Sequence, residues 1–348
     1  MAGRSMRSMD LLDFYYVSLP EIMPWYDPLQ HTTNDVVRAA IIPLSRRGEG
    51  GVAYADVVSS SCSSCSSTTG RPVTDWPQRM VTHDWRNLFV HLVAAVLADA
   101  VGREEYGDIA SKLVYGQLHT FRAYLEDAGA GSRRYWICAF CVNQHAGICG
   151  GFGPPPAQGT AEYERWDANR RDSVRQELHR HCPCREPKYF LSTPDKCEMN
   201  KFDNMMALLH REVRDFRQVI AIDRDFDLFT RVWCVAELVQ AYASGIPQNA
   251  CLRSKHDLDV HRGSADVYAK LATLTVADCS ATCPEDKQLI LAKIPDVYEF
   301  DAQLQAVIFG RRGLLGRQLV GFDILYTAAR TAFRVRTAVA VAAAAGGS

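Results

Sequence analysis

The chain has 348 residues, 47% hydrophobic and 23% charged, and its 39 basic and 40 acidic side chains leave a formal net charge of −1. This is the composition of an ordinary soluble globular protein, and it provides no global field for nucleic acid or an anionic membrane. There are twelve cysteines, and the N-terminal stretch Met1 to Asp10 lacks a signal peptide's apolar core, so the expected setting is reducing, intracellular and cytoplasmic, with thiols mostly free and buried.

Residues 1–75 read as an N-terminal extension. Met23 to Pro28 is an extended aromatic segment, Asn34 is placed to cap a short helix through Val36, Val37 and Ala40, and Pro43 ends it. Ser45 to Gly51 is a basic loop. Ser59 to Gly70 is a low-complexity Ser/Thr/Cys tract, and its Cys62 and Cys65 have redox or half-zinc spacing without the βαβ context such a motif needs.

Regular structure is expected to resume near Trp76. Arg79 to Thr82 reads as a strand, His83, Asp84, Trp85 and Arg86 as a polar loop able to floor a ligand site, and Leu88 to Val101 as an apolar helix whose N-terminus can receive a phosphate assisted by Arg86. A second helix is expected over Ile109 to Ala128. Tyr135 to Val142 is the most continuous apolar run in this half and predicts a central strand, with Asn143 and Gln144 at its C-terminal end. Residues 146–190 then form a long insertion, rich in Gly and Pro before it becomes charged, and loops of this length are usually functional or disordered. Cys182 and Cys184, with His181 and Cys197, are the weak metal-ligand candidates, His179 lying nearby; the spacing matches no common finger, and no metal is assigned.

Met199 to Val213 has helical periodicity. Val219 to Ile222 reads as a covered strand, Asp223 to Asp227 as a charged turn, and Thr230 as the cap of a helix carrying Trp233, Cys234 and Glu237. A carboxylate just past a strand's C-terminal end is where open α/β sheets place ligand sites. Ile246 to Leu252 predicts an edge strand. Residues 254–348 read as a helical C-terminal extension, with helices over Tyr268 to Thr275, from Pro284, and over Val297 to Phe309, and an amphipathic one over Leu319 to Val335. The extensions are expected to wrap a single α/β domain over 76–253, since neither has a complete core of its own.

Three features together resemble a Toll/interleukin-1 receptor (TIR) domain: Met80-Val81-Thr82-His83-Asp84 as its first-strand box, the Gly/Pro-rich stretch after 135–142 as its long connecting loop, and Trp233-Cys234-Val235-Ala236-Glu237-Leu238 as its Trp-Cys-x-x-Glu-Leu motif. Trp136-Ile137 with Asn143-Gln144 is similar to the pattern of heterokaryon-incompatibility-like domains, although Cys138 stands where those carry Asp. Over the whole chain, Thr32-Thr33-Asn34-Asp35-Val36-Val37, Val81-Thr82-His83-Asp84-Trp85 and Pro284-Glu285-Asp286-Lys287 resemble TIR-like proteins of dinoflagellates and related protists. The resemblance implies a TIR or flavodoxin-like parallel sheet flanked by helices, a signalling or assembly module that self-associates, and, in catalytic members, cleavage of NAD as substrate with Glu237 as the essential carboxylate and no required cofactor. The alternatives are a non-catalytic self-associating domain and, less favoured, a cysteine hydrolase using Cys141, Cys149 or Cys234 with His83 or His145.

Overall fold

Arg79–His83 forms the central strand of a five-stranded sheet in the computed structural model, which describes residues 1–60, 75–189, 193, 195–258, 265–281, 284–310, 313–315, 332 and 334–336. Four of its five residues are buried, as expected of a strand covered on both faces. It pairs in parallel with Arg134–Ile137 on one side and Arg217–Ala221 on the other, and Arg217–Ala221 pairs in parallel with Gln248–Cys251 at the edge. The parallel strands therefore lie in the order second, first, third, fourth along the chain. Met6–Arg7 adds a short antiparallel strand beside Arg134–Ile137.

The strands' alternation divides the core into two layers. Tyr135 faces the Phe89–Ala100 helix, where its hydroxyl donates to Asp99 Oδ2 at 2.8 Å. That helix is buried at every position but His91, because N-terminal residues cover its outer side. Phe14 packs edge-on against Phe140 at 5.0 Å, Tyr54 at 5.2 Å and Phe89 at 5.8 Å, so residues 1–55 share the core of the sheet. Trp136 faces the opposite layer, with its ring 5.1 Å from that of Phe202. There the Phe202–Glu212 and Val232–Ala243 helices cover the sheet, and Pro284–Ala292 and Val297–Phe309 pack on Val232–Ala243.

Several local expectations are corrected. The apolar run from Tyr135 is strand only to Ile137, and Cys138–Cys141 turns into a short helix; the place at the centre belongs to Arg79–His83. Ile109 to Ala128 is two helices, Gly107–Tyr115 and Leu118–Asp127, broken at Gly116, where an added Cβ would collide with the Lys112 carbonyl oxygen. Thr32, not Asn34, caps the early helix, through a reciprocal box with Asp35. Pro43 does not end it: the chain passes through a π-helical turn at Val37–Ile41 and stays helical to Ser45. Thr230 does not cap Val232–Ala243, its hydroxyl donating back to the Asp227 carbonyl at 2.7 Å. Cys62, Cys65 and nearly all of Leu319 to Val335 lie outside the described residues. Among the described residues no helix is long and apolar enough to cross a membrane.

Candidate functional site

Glu237 sits on the inner face of the 232–243 helix, opposite the penultimate residue of the central strand. The Thr82 hydroxyl donates to Glu237 Oε2 at 2.5 Å and accepts from Gln218 Nε2 at 2.7 Å. Gln218 Oε1 accepts in turn from Gln248 Nε2 at 2.8 Å, and that amide also donates to the Leu238 carbonyl at 2.9 Å. A polar line thus crosses three strands and ends on the carboxyl group. Burial pushes Glu237 up to about 8, against the opposing pull of the Thr82 hydrogen bond, and the Asp203 carboxylate adds to the rise. The group is therefore mostly protonated at neutral pH.

Glu237 also lines a cleft of about 310 Å³ whose wall includes Phe202, Asp203, Trp233, Ile290, Lys293 and Phe300. This is near the lower end of ligand-pocket sizes. Trp233, one helical turn before Glu237, stands beside it in the cleft, its ring 6.0 Å from Phe202. These two sequence-selected residues are brought together.

The remaining selected residues lie outside that cleft. Arg86 grips Asp84 through Nε at 2.8 Å and Nη2 at 2.6 Å, and Arg231 Nε approaches the same carboxylate at 3.8 Å. Burial alone would raise the Asp84 carboxyl; the Arg86 hydrogen bonds and the Arg231 charge outweigh it and hold it below the ordinary range. The helix N-terminus assigned to a phosphate is covered: Phe89 N donates to the His31 carbonyl at 3.1 Å and Leu88 N to Asn87 Oδ1 at 2.8 Å. The expectation that Arg86 and this helix end receive phosphate is corrected accordingly. Trp85 is not an open stacking floor, since its indole N–H donates to Cys138 Sγ at 3.2 Å and its ring packs on the core. Asn143 and Gln144 serve the backbone. Asn143 Oδ1 accepts from His145 N, and Gln144 Nε2 donates to the Cys138 and Ala139 carbonyls.

No activated thiol–imidazole pair is found among the cysteine-hydrolase candidates in the described residues: Cys149 does lie within 4.8 Å of the His145 ring, but it donates to the His145 carbonyl at 3.6 Å and burial pushes its thiol up to about 12. Cys141 is buried against the Tyr135 carbonyl, and Cys234 donates to the His83 carbonyl at 3.6 Å, with burial pushing its thiol far up. The thiol nearest His83 is Cys138, 4.0 Å from Nε2. Burial pushes that thiol up to about 12 and His83 down to about 4, so neither carries the charge an activated pair needs. Of the metal candidates, His181 and Cys197 stand apart, whereas Cys182 and Cys184 meet two residues not grouped with them in the sequence, His145 and Cys149.

Thr82, Gln218 and Gln248 were not singled out by sequence. A partial signal existed: by alternation Thr82, Gln218 and Gln248 all lie on one face of the sheet, the face that Met80 and Ile220 share. Comparison with protein-family models, with curated proteins and with solved structures finds no match to this chain.

Proposed function

We propose that the chain is a TIR-like domain in which Glu237 supports hydrolysis of the nicotinamide–ribose bond of NAD. The observation that carries this reading is the Glu237 carboxyl, half-buried opposite the central strand's C-terminal end, on the wall of a cleft beside Trp233. The second-first-third-fourth order of the parallel strands supports it, matching the first four strands of flavodoxin-like sheets, which bind ligands at the C-terminal ends of their strands.

The chemistry needs no general acid. The C1′–N bond breaks with its electron pair going to the nicotinamide nitrogen, which leaves neutral. Water then bonds to C1′ and releases a proton, giving nicotinamide and ADP-ribose. The transition state carries oxocarbenium charge on the ribose, and a carboxylate fixed in a poorly solvated cleft stabilises that charge strongly. The cationic nicotinamide riboside half lowers the cost of ionising Glu237, so the anion forms when the substrate is there to use it. Trp233 supplies an aromatic face for the ring.

A second reading, a non-catalytic self-associating module, is favoured by the internal engagement of Asp84, Trp85, Arg86, Asn143 and Gln144. Nicotinamide release by purified protein, with and without a crowding agent to drive assembly, separates the two. Release by wild type that is absent from folded Glu237→Ala supports the enzyme. No release in either state, with no detectable NAD binding, leaves the module.

A further inference from the structure

We propose that His145, Cys149, Cys182 and Cys184 form a zinc site that clips the base of the insertion to the α/β core. Their ligand atoms all lie within 4.8 Å of one another. Cys149 Sγ and Cys184 Sγ are 3.4 Å apart, and Cys182 Sγ is 3.7 Å from His145 Nδ1. A tetrahedral zinc with ordinary Zn–S and Zn–N bonds sets its ligands about 3.5–3.8 Å apart, so these two pairs already stand at about that spacing and the remaining pairs lie within 4.8 Å.

The surroundings fit a metal more closely than four loose side chains. The Ser45 hydroxyl donates to the Ile41 carbonyl at 2.7 Å, so its lone pair is what faces His145 Nε2 at 3.1 Å. With the proton on Nε2 donated to Ser45, the Nδ1 lone pair is left toward the thiols, the arrangement in which a ligating histidine donates through its other nitrogen. Zinc with three thiolates and a neutral imidazole has a net charge of −1, the three thiol protons going to solvent. Lys188 Nζ, 3.6 Å from Cys184 Sγ and 2.7 Å from the His145 carbonyl, is placed to balance it. Gly51 leaves the imidazole its room: a Cβ there would collide with His145 Cδ2.

The site would join two stretches across the insertion. Cys149 and Cys182 bound the excursion through 150–181, and Cys182 N donates to the Cys149 carbonyl at 3.0 Å. A cross-link that closes a long loop removes much of the freedom of the open chain. This inference is independent of Glu237 and of any activity toward NAD.

The test is metal content and cobalt(II) spectroscopy on the full chain purified without chelator. Wild type should carry about one zinc per chain, and its cobalt form should show thiolate charge transfer with intense tetrahedral d–d bands. Cys182→Ser and His145→Ala should lose the zinc, whereas Cys197→Ser and His181→Ala should keep it. If the first pair fails to fold, wild type decides alone. Wild type holding neither zinc nor a cobalt charge-transfer band overturns the proposal. So does zinc retained by Cys149→Ser/Cys184→Ser, or a Cys149–Cys184 disulfide in the purified chain. Chelation should also open 150–181 to limited proteolysis.

Discussion

Replacing Glu237 with Gln keeps the shape and the oxygen that accepts from Thr82, but removes the ionisation. In the folded protein burial holds the proton to about pH 8, whereas the ordinary value is 4.5. Below about 4.5 both states are protonated and the group makes no difference. Between about 4.5 and 8 the unfolded chain releases a proton that the folded chain keeps, so wild-type stability falls as pH rises, by about 1.4 kcal/mol per pH unit. Across the interval the loss is on the order of 5 kcal/mol and does not grow above pH 8. The Glu237→Gln variant has no such dependence, and all other titrating groups cancel in the comparison. Urea unfolding of both proteins from pH 4 to 9 should therefore show near-equal stability at the acid end and an advantage for the variant that climbs and then levels off near pH 8. A difference that stays flat with pH would mean that Glu237 ionises as an exposed carboxylate does, and the buried-acid reasoning would fail.

Thr82→Val leaves the fully buried Gln218 amide without its acceptor and should cost about 1–3 kcal/mol in urea unfolding; unchanged stability would argue against the polar line. The same substitution removes the hydrogen bond that favours the charged form, so Glu237 should protonate still more readily, visible as an upward move of the carboxyl titration by NMR. If NAD is cleaved, kcat/KM should rise with pH and level off near 8, reporting the free-enzyme carboxyl; a profile flat from pH 5 to 9 would separate Glu237 from the chemistry. Cys138→Ala should leave nicotinamide release unchanged, because neither that thiol nor His83 is ionised near neutrality; lost release by a folded variant would give the Cys138 thiol a part in the reaction.

The strand–loop–helix units at 79–100 and 217–243 were legible because their apolar runs are bounded by charged loops and have the lengths of strands and helices. The segment 135–142 was not. A buried strand and a buried helix are both continuously apolar, and here the chain changes from one to the other at Cys138 without a change in composition. Asn143 and Gln144 consequently read as loop residues at a strand end, whereas Asn143 caps the short 3₁₀ turn at Gln144–Ala146 and Gln144 fastens the Cys138–Cys141 helix. Glu237 with Trp233 followed from helical spacing, but Thr82 lies 155 residues away and could be paired with Glu237 only once the sheet was known. The thiol and imidazole group was half-legible for the same reason: Cys182 and Cys184 are close in sequence, while the histidine that joins them is 37 residues before Cys182.

The polar line through Gln248, Gln218 and Thr82 also acts as a key for strand alignment. A slip by one residue turns every side chain of a strand to the opposite layer. Here such a slip would move Thr82 or Gln218 away from its partners and strand a buried amide among hydrocarbon side chains. Three hydrogen bonds thus make one alignment of the central strands favourable and its neighbours costly, and hold the carboxyl at a fixed height above the sheet.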